Sequence, residues 1–454
     1  MTLEDGLLIF LFIILLYSLL VFILKKTGIM EKYEIKLWGP VLLLRTKRGI
    51  KLLKRISNKR RFWKAYGSFA VVFCFIAMIL MTFVVIFNIW AISGLPTEQR
   101  ASLPGPEIAL VLPGINPILP IEYIGFIIIA FIVAIVVHEF SHAILNFVGE
   151  LKVKSMGILY FIVPIGAFVE PDEEELKKTE TGKRMRVYAV GPLSNFVVAF
   201  ITLLLFSFVF MSAVQPVDGA HIFYIIDDTP AEEIGLSPGI VITSLNDTEI
   251  KNLDDFSNAI QNTSPNQTVN ISYYKKGITY SLKANLASLY DYSENESHIN
   301  ESFLGVGFVP YNYDVNYLKN PFSSKNFPDS FLILYALPIL GYLAGYNPIA
   351  APFTDSYEIT GFMGGISQDV FWNIVSILYW IFWLNIAVGL FNVLPMMPLD
   401  GGFLFNDAVG STVKKLKKDI SEENKERIVK NVSLIVSLII LFLIVMPFFI
   451  KYIP

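Results

Sequence analysis

Long apolar stretches alternate with strongly charged segments along this chain, and that alternation predicts helices that cross a bilayer. Stretches at about 7–24, 68–92, 121–148, 187–214, 371–394 and 432–450 each approach the roughly 20 apolar residues that span about 30 Å of hydrocarbon as helix. A further apolar stretch, Phe331 to Tyr346, is interrupted by Pro338 and Gly341. Counting it as a crossing inverts the span that follows, so it is expected to re-enter the membrane or lie at its outer interface. Between residues 215 and 310 the pattern changes. TVNISYY and ITYSLKANL flank Lys275, Lys276 and Gly277 as a β-hairpin, and LDDFSNAIQ reads as a short helix. The expected fold is an α-helical polytopic membrane protein with about six transmembrane helices, one re-entrant or interfacial segment and an inserted α/β domain. Its divisions are a membrane region at 1–214 with four spans, the insert at 215–310 and a second membrane region at 311–454.

Composition agrees with this reading and charge orients it. Hydrophobic residues make up 54% of the 454 positions and charged residues 17%, against roughly 45–50% and about 25% in soluble domains. The net charge of −3 conceals segregation: residues 25–64 carry 14 Lys or Arg against Glu31 and Glu34, whereas 215–320 carry 5 Lys against 14 Asp or Glu. Positive residues near span ends stay on the cytoplasmic side, so loops 25–67, 149–186 and 406–431 are expected inside and the insert outside. Six N-x-S/T sequons, at Asn246, Asn262, Asn266, Asn270, Asn295 and Asn300, favour an exported surface for it. The basic stretch borders two spans, so anionic lipid headgroups account for it and nucleic acid is not an expected partner. Asp172 to Glu175 and Lys183 to Arg186 read as a solvated cytoplasmic face. Glu4 and Asp5 replace the basic start of a signal peptide, so the first stretch is expected to remain as a span. The single cysteine, Cys74, excludes an intrachain disulfide.

Candidate chemistry lies inside the spans. VVHEFSHAIL places His138, Glu139 and His142 in the third stretch. Positions four apart share a helix face, so both imidazoles can reach one metal while Glu139 approaches its bound water. Two histidines and a glutamate in an apolar span are costly unless paired or ligating. At the end of the fifth span, FNVLPMMPLDGG breaks the helix with Pro395, Pro398, Gly401 and Gly402 where Asp400 occurs. Asp400 is the natural third ligand, leaving a fourth position for water. His221 and His298 fall in the insert and read as ordinary surface or core residues.

With these motifs in place the chain resembles the site-2 protease family of intramembrane zinc metalloproteases, archaeal type. The resemblance rests on HEFSH, the N-x-x-P-x-x-x-LDG pattern from Asn392 to Gly401, the GPLSN turn at Gly191 to Asn195, WGPVLLLRTKRG at 38–49 and an insert resembling a PDZ domain. The PDZ-like match takes in Thr229-Pro230-Ala231, Gly235-Leu236, Pro238-Gly239, the strand Ile240 to Leu245 and the helix near Asp254 to Ile260. It implies one zinc ion per chain on His138, His142 and Asp400, with Glu139 as catalytic base. IVPIGAFVEP looks like the family's membrane-associated strand segment, whose Gly166, Ala167, Phe168 and Val169 can pair with an extended substrate; an ordinary interfacial hairpin is the alternative. Asn195 and Asn392 can hold substrate backbone or join membrane helices.

The function these features imply is hydrolysis of peptide bonds within or near transmembrane segments of single-span membrane proteins, probed by a PDZ-like domain with its own peptide ligand, in the plasma membrane. Two other classes remain open at this point. One is a PDZ-bearing membrane receptor or chaperone with a non-catalytic metal site; the other is an ion transporter, against which the single dense cluster of ligands argues.

Overall fold

A computed structural model describes residues 3–450 apart from 47–48, 102–107, 109–115, 162, 294, 310–314, 324 and 326. Contacts group residues 1–110, 127–200 and 381–454 in one compact unit and residues 111–126 and 201–380 in another. The boundary expected at residue 310 lies outside the described residues.

Among the described residues five helices are long and apolar enough to cross a bilayer: Arg60–Ser93, Ile121–Val148, Thr181–Ala213, Gln368–Asn392 and Glu422–Ile450. The first expected span is also helical, over Leu3–Lys26. The interrupted stretch forms a helix of 16 residues, Asp329–Ala344, which takes Pro338 into its interior. The GPLSN segment departs from expectation. It is not a turn but the middle of the helix Thr181–Leu204, with Pro192 inside it. Packing overrides the local signal here: Ala189, Val190 and Leu193 are buried on both sides of the proline, which holds the helix through the missing backbone bond.

The first unit also contains a four-stranded antiparallel sheet, ordered Lys36–Trp38, Val41–Thr46, Val153–Phe161, Val163–Pro171. The last strand stands at the sheet edge. Its register with the preceding strand runs from Pro171 opposite Val153 to Val163 opposite Phe161 and shifts between Leu159 and Tyr160. In the segment that follows, Asp172 caps the short helix Glu173–Lys178 by accepting from the N–H groups of Glu174 and Glu175. The solvated face expected for residues 172–186 is corrected at Arg184, which is largely buried against Asp407.

The second unit holds a five-strand path ordered Ile278–Asn285, Thr268–Lys275, Val241–Leu245, Ala220–Ile225, Val306–Phe308, with Thr248–Glu249 beside Val241–Leu245. The expected hairpin pairs Lys275 with Ile278, and Lys276 and Gly277 both take positive φ, the two-residue turn whose twist suits antiparallel strands. The short helix covers Leu253–Gln261, capped by Asn252. Its Phe256 is buried with Ile222, Ile242, Leu245 and Ile271 and meets the Phe308 ring edge-on at 4.8 Å. Removing that ring leaves a cavity at the centre of the sheet, at a cost of about 3–5 kcal/mol. Phe256→Ala is therefore expected to accelerate amide hydrogen exchange across Thr268–Lys275 in the full-length protein while leaving the helix Ile124–Val148 protected; unchanged exchange in the strand contradicts this packing.

Candidate metal centre

The centre is assembled from three helices of the first unit. Helix Ile124–Val148 presents His138 and His142 one turn apart, their rings 4.7 Å between centroids and nearly perpendicular. Asp400 opens helix Asp400–Leu416, where a carboxylate is favoured by the unpaired N–H groups of the first turn. Its Oδ2 lies 2.9 Å from His138 Nε2 and 3.2 Å from His142 Nε2. The three side chains bring one ligand atom each within 4.8 Å of one another. A tetrahedral shell with bonds of about 2.0–2.1 Å has edges near 3.3 Å, which the two Asp400–histidine separations approach, so the set can offer two imidazole nitrogens and one carboxylate oxygen to a small divalent ion.

Orientation of the donors is fixed from outside. His142 Nδ1 donates to the carbonyl of Val187 at 2.6 Å, which leaves the Nε2 lone pair facing Asp400. Val187 and Gly191 are one turn apart on helix Thr181–Leu204. A Cβ at Gly191 would lie 2.4 Å from His142 Nε2 and 2.8 Å from His138 Nε2, so only glycine lets this helix cradle both imidazoles. The break before Asp400 is equally tight: a Cβ at Gly401 would meet the Val393 carbonyl oxygen at 2.3 Å, and one at Gly402 the Met396 carbonyl at 2.6 Å. Two glycines thus let the chain fold back on itself and start a helix with Asp400 at its tip.

Glu139, adjacent to His138 on the same helix, reaches the edge strand. Its Oε2 accepts the N–H of Val169 at 3.0 Å, so the structure brings the expected strand and the expected base together. Asn195, one turn beyond Gly191, is fully buried, and among the described residues neither of its amide atoms has a hydrogen-bond partner. Asn392 instead donates back to the Val388 carbonyl of its own helix at 3.1 Å. Sequence reading missed Val187, whose contribution is a backbone carbonyl, and a hydroxyl chain in which Tyr66 meets Ser194 at 3.0 Å and Ser141 donates to Ser194 at 2.7 Å. Side-chain chemistry gave no signal for the first; helical spacing of Ser141 from Val137, whose carbonyl it also contacts, was the only sign of the second.

Comparison with known proteins adds an independent line. A family model described as Peptidase family M50 matches residues 126–441, a range that includes all three ligand candidates and Glu139. An uncharacterized protein of Methanocaldococcus jannaschii is 26% identical over 94% of this chain and 91% of its own length. The zinc metalloprotease RasP of Shouchella clausii is 27% identical over 56% of this chain and 58% of its own, so little more than half of that protein is matched. Among solved structures, the PDZ domain of an SdrC-like protein of Listeria monocytogenes aligns with 21% of this chain and 92% of its own length, at 21% identity and a TM-score of 0.18.

Gly191 provides the test of this geometry. Gly191→Ala is expected to remove most bound metal from the purified protein, whereas Gly182→Ala on the same helix, which meets nothing within 4 Å, is expected to retain it. Equal metal content in the two variants contradicts the cradle.

Proposed function

We propose, from the premise that this chain belongs to peptidase family M50, that it is an intramembrane zinc metalloprotease cleaving peptide bonds within or near the transmembrane segments of single-span membrane proteins. The observation that carries the reading is the convergence of His138, His142 and Asp400 on one point beside Glu139. His138, His142 and Asp400 would hold one zinc ion per chain, which would supply a polarising centre and lower the pKa of a water toward 7.

The remaining roles belong to the chain's own groups. Glu139 accepts the proton of the attacking water and returns it to the leaving amine. The Val169 N–H holds its carboxylate in place meanwhile. Gly166, Ala167 and Phe168 stand on an edge strand, which supports pairing with an unwound substrate segment by strand addition, whereas Val169, expected to pair as well, has its N–H taken by Glu139. A substrate helix satisfies its own backbone, so extension against such an edge exposes the bond that is to be cut. Asn195 is proposed to bind substrate backbone, since a buried amide with no partner costs about 1–3 kcal/mol. Asn392 is proposed for the same task, since its bond to the Val388 carbonyl uses one of its two N–H donors and leaves the other and Oδ1.

The chain is an integral membrane protein. The distribution of Lys and Arg supports a plasma-membrane topology with the metal toward the cytoplasmic side and the sheet insert, read as PDZ-like, outside.

Glu139→Gln separates catalysis from metal binding. The variant is expected to keep about one zinc per chain and to lose cleavage of a transmembrane substrate by at least about a hundredfold, while His138→Ala loses both. Retained cleavage in the glutamine variant removes Glu139 as base. Topology is checked separately with cysteines placed at Asn262 and Asn295 in a Cys74→Ser background. Labelling from outside intact cells is expected, and labelling only after permeabilisation inverts the orientation.

A further inference from the structure

We propose that Arg184 and Asp407 are positioning residues: a clamp that fixes the register in which Asp400 meets the histidine pair. The inference rests on the metal-site reading above and extends it to residues remote from the metal.

Helix Thr181–Leu204 carries Arg184, Tyr188 and Gly191 at spacings of four and three; helix Asp400–Leu416 carries Asp400, Phe403 and Asp407 at spacings of three and four. Each set lies along one helix face. The two sets meet in opposite order. Asp407 accepts from Arg184 Nε at 2.8 Å and from Nη2 at 2.5 Å. Phe403 stacks on Tyr188 with centroids 5.1 Å apart and planes inclined by 23°. Asp400 contacts the imidazoles that crowd Gly191. The helices are therefore antiparallel and matched at three levels, each about one turn from the next. A slip of one turn, about 5.4 Å, breaks the ion pair and the stack and takes Asp400 out of reach of both Nε2 atoms.

Arg184 reaches a third element as well. Its Nη1 donates to the carbonyls of Lys177 and Thr179 at 2.9 and 3.2 Å, closing the end of the helix Glu173–Lys178 that follows the edge strand. One planar guanidinium thus joins the Asp400 helix, the Gly191 helix and the segment leaving Pro171. A lysine has the charge but not the fork. The side chains are only 19% and 11% exposed. A buried ion pair adds little net stability over apolar residues of equal size, and apolar residues would fill the space without fixing register. The pair stands two turns from the metal ligands, about 10 Å along each helix, so it touches neither metal nor scissile bond.

The test uses the full-length protein in detergent, with cobalt(II) affinity measured by competition against a chelator and cleavage kinetics measured in parallel. Arg184→Lys and Asp407→Asn, each confirmed to be folded by its melting transition, are expected to bind metal about 10–100-fold more weakly. Cleavage at saturating metal is expected to show a reduced kcat with KM changed less than about twofold. The double variant is expected to lose no more than the worse single one, because both remove one interaction. Asp407→Asn keeps size and shape and serves as the deciding arm where the lysine variant does not accumulate. Arg60→Lys, whose partner Glu150 is exposed, is expected to match the parent. Parent-like affinity in either folded clamp variant, or losses that add in the double variant, overturns the clamp while leaving the metal site standing. A parent protein that binds no cobalt overturns the metal-site reading itself.

Discussion

Three ionisable side chains converging among apolar helices are the constraint around which the first unit is built. A histidine or carboxylate removed from water is costly unless something replaces the lost hydration. Here the Val187 carbonyl takes the His142 Nδ1–H, Asp400 Oδ2 sits beside both Nε2 atoms, and the neighbouring Glu139 accepts the Val169 N–H. Among the described residues His138 Nδ1 is buried without a hydrogen-bond partner, and that ring instead places its Nε2 2.9 Å from Asp400 Oδ2. The backbone follows from this need. Helices that must bring imidazole, carboxylate and main chain within about 3 Å cannot carry a Cβ at the crossing, and the positions where one would collide are Gly191, Gly401 and Gly402.

That requirement also explains how much of the centre was legible in the sequence. His138, Glu139, His142 and Asp400 were readable because their chemistry is out of place in apolar stretches, and four-residue spacing on a helix fixes a shared face. The hairpin around Lys276 was readable from its flanking strands and turn residues, whereas the strand at Val163–Pro171 was expected only from the family resemblance. GPLSN was misread as a turn because glycine, proline and asparagine together carry a strong local signal; the helix persists through them because its flanks are buried. Arg184 was misread as solvated because the residue that buries it, Asp407, is 223 positions away. No window of sequence contains both. Val187 was invisible for a different reason: its contribution is a carbonyl oxygen that every residue possesses.

Precision at this site is consequently distributed. The ligands occupy short motifs, but their separation is set by a helix packing interface in which a ring stack and an ion pair repeat the same antiparallel register. Core packing alone does not specify such a register, since buried residues nearby such as Ala189, Leu193 and Leu404 are smooth aliphatic groups that tolerate sliding more readily than a bidentate pair does. Polar contacts inside an apolar interface add specificity where they add little net stability.

The edge strand joins this frame to the proposed substrate path. A strand edge in apolar surroundings leaves N–H and C=O groups that hydrocarbon cannot satisfy. At Val169 the outward N–H is taken by Glu139, so this carboxylate occupies the position that a paired strand's carbonyl would otherwise fill. On the proposed reading, an extended segment added alongside Gly166 to Phe168 must therefore stop pairing where Glu139 begins. The bond leaving the ladder at that point is the one delivered to the base. Strand register, rather than a side-chain pocket, then sets which peptide bond arrives at the metal, and selectivity for side chains falls to whatever allows a transmembrane helix to unwind into the strand.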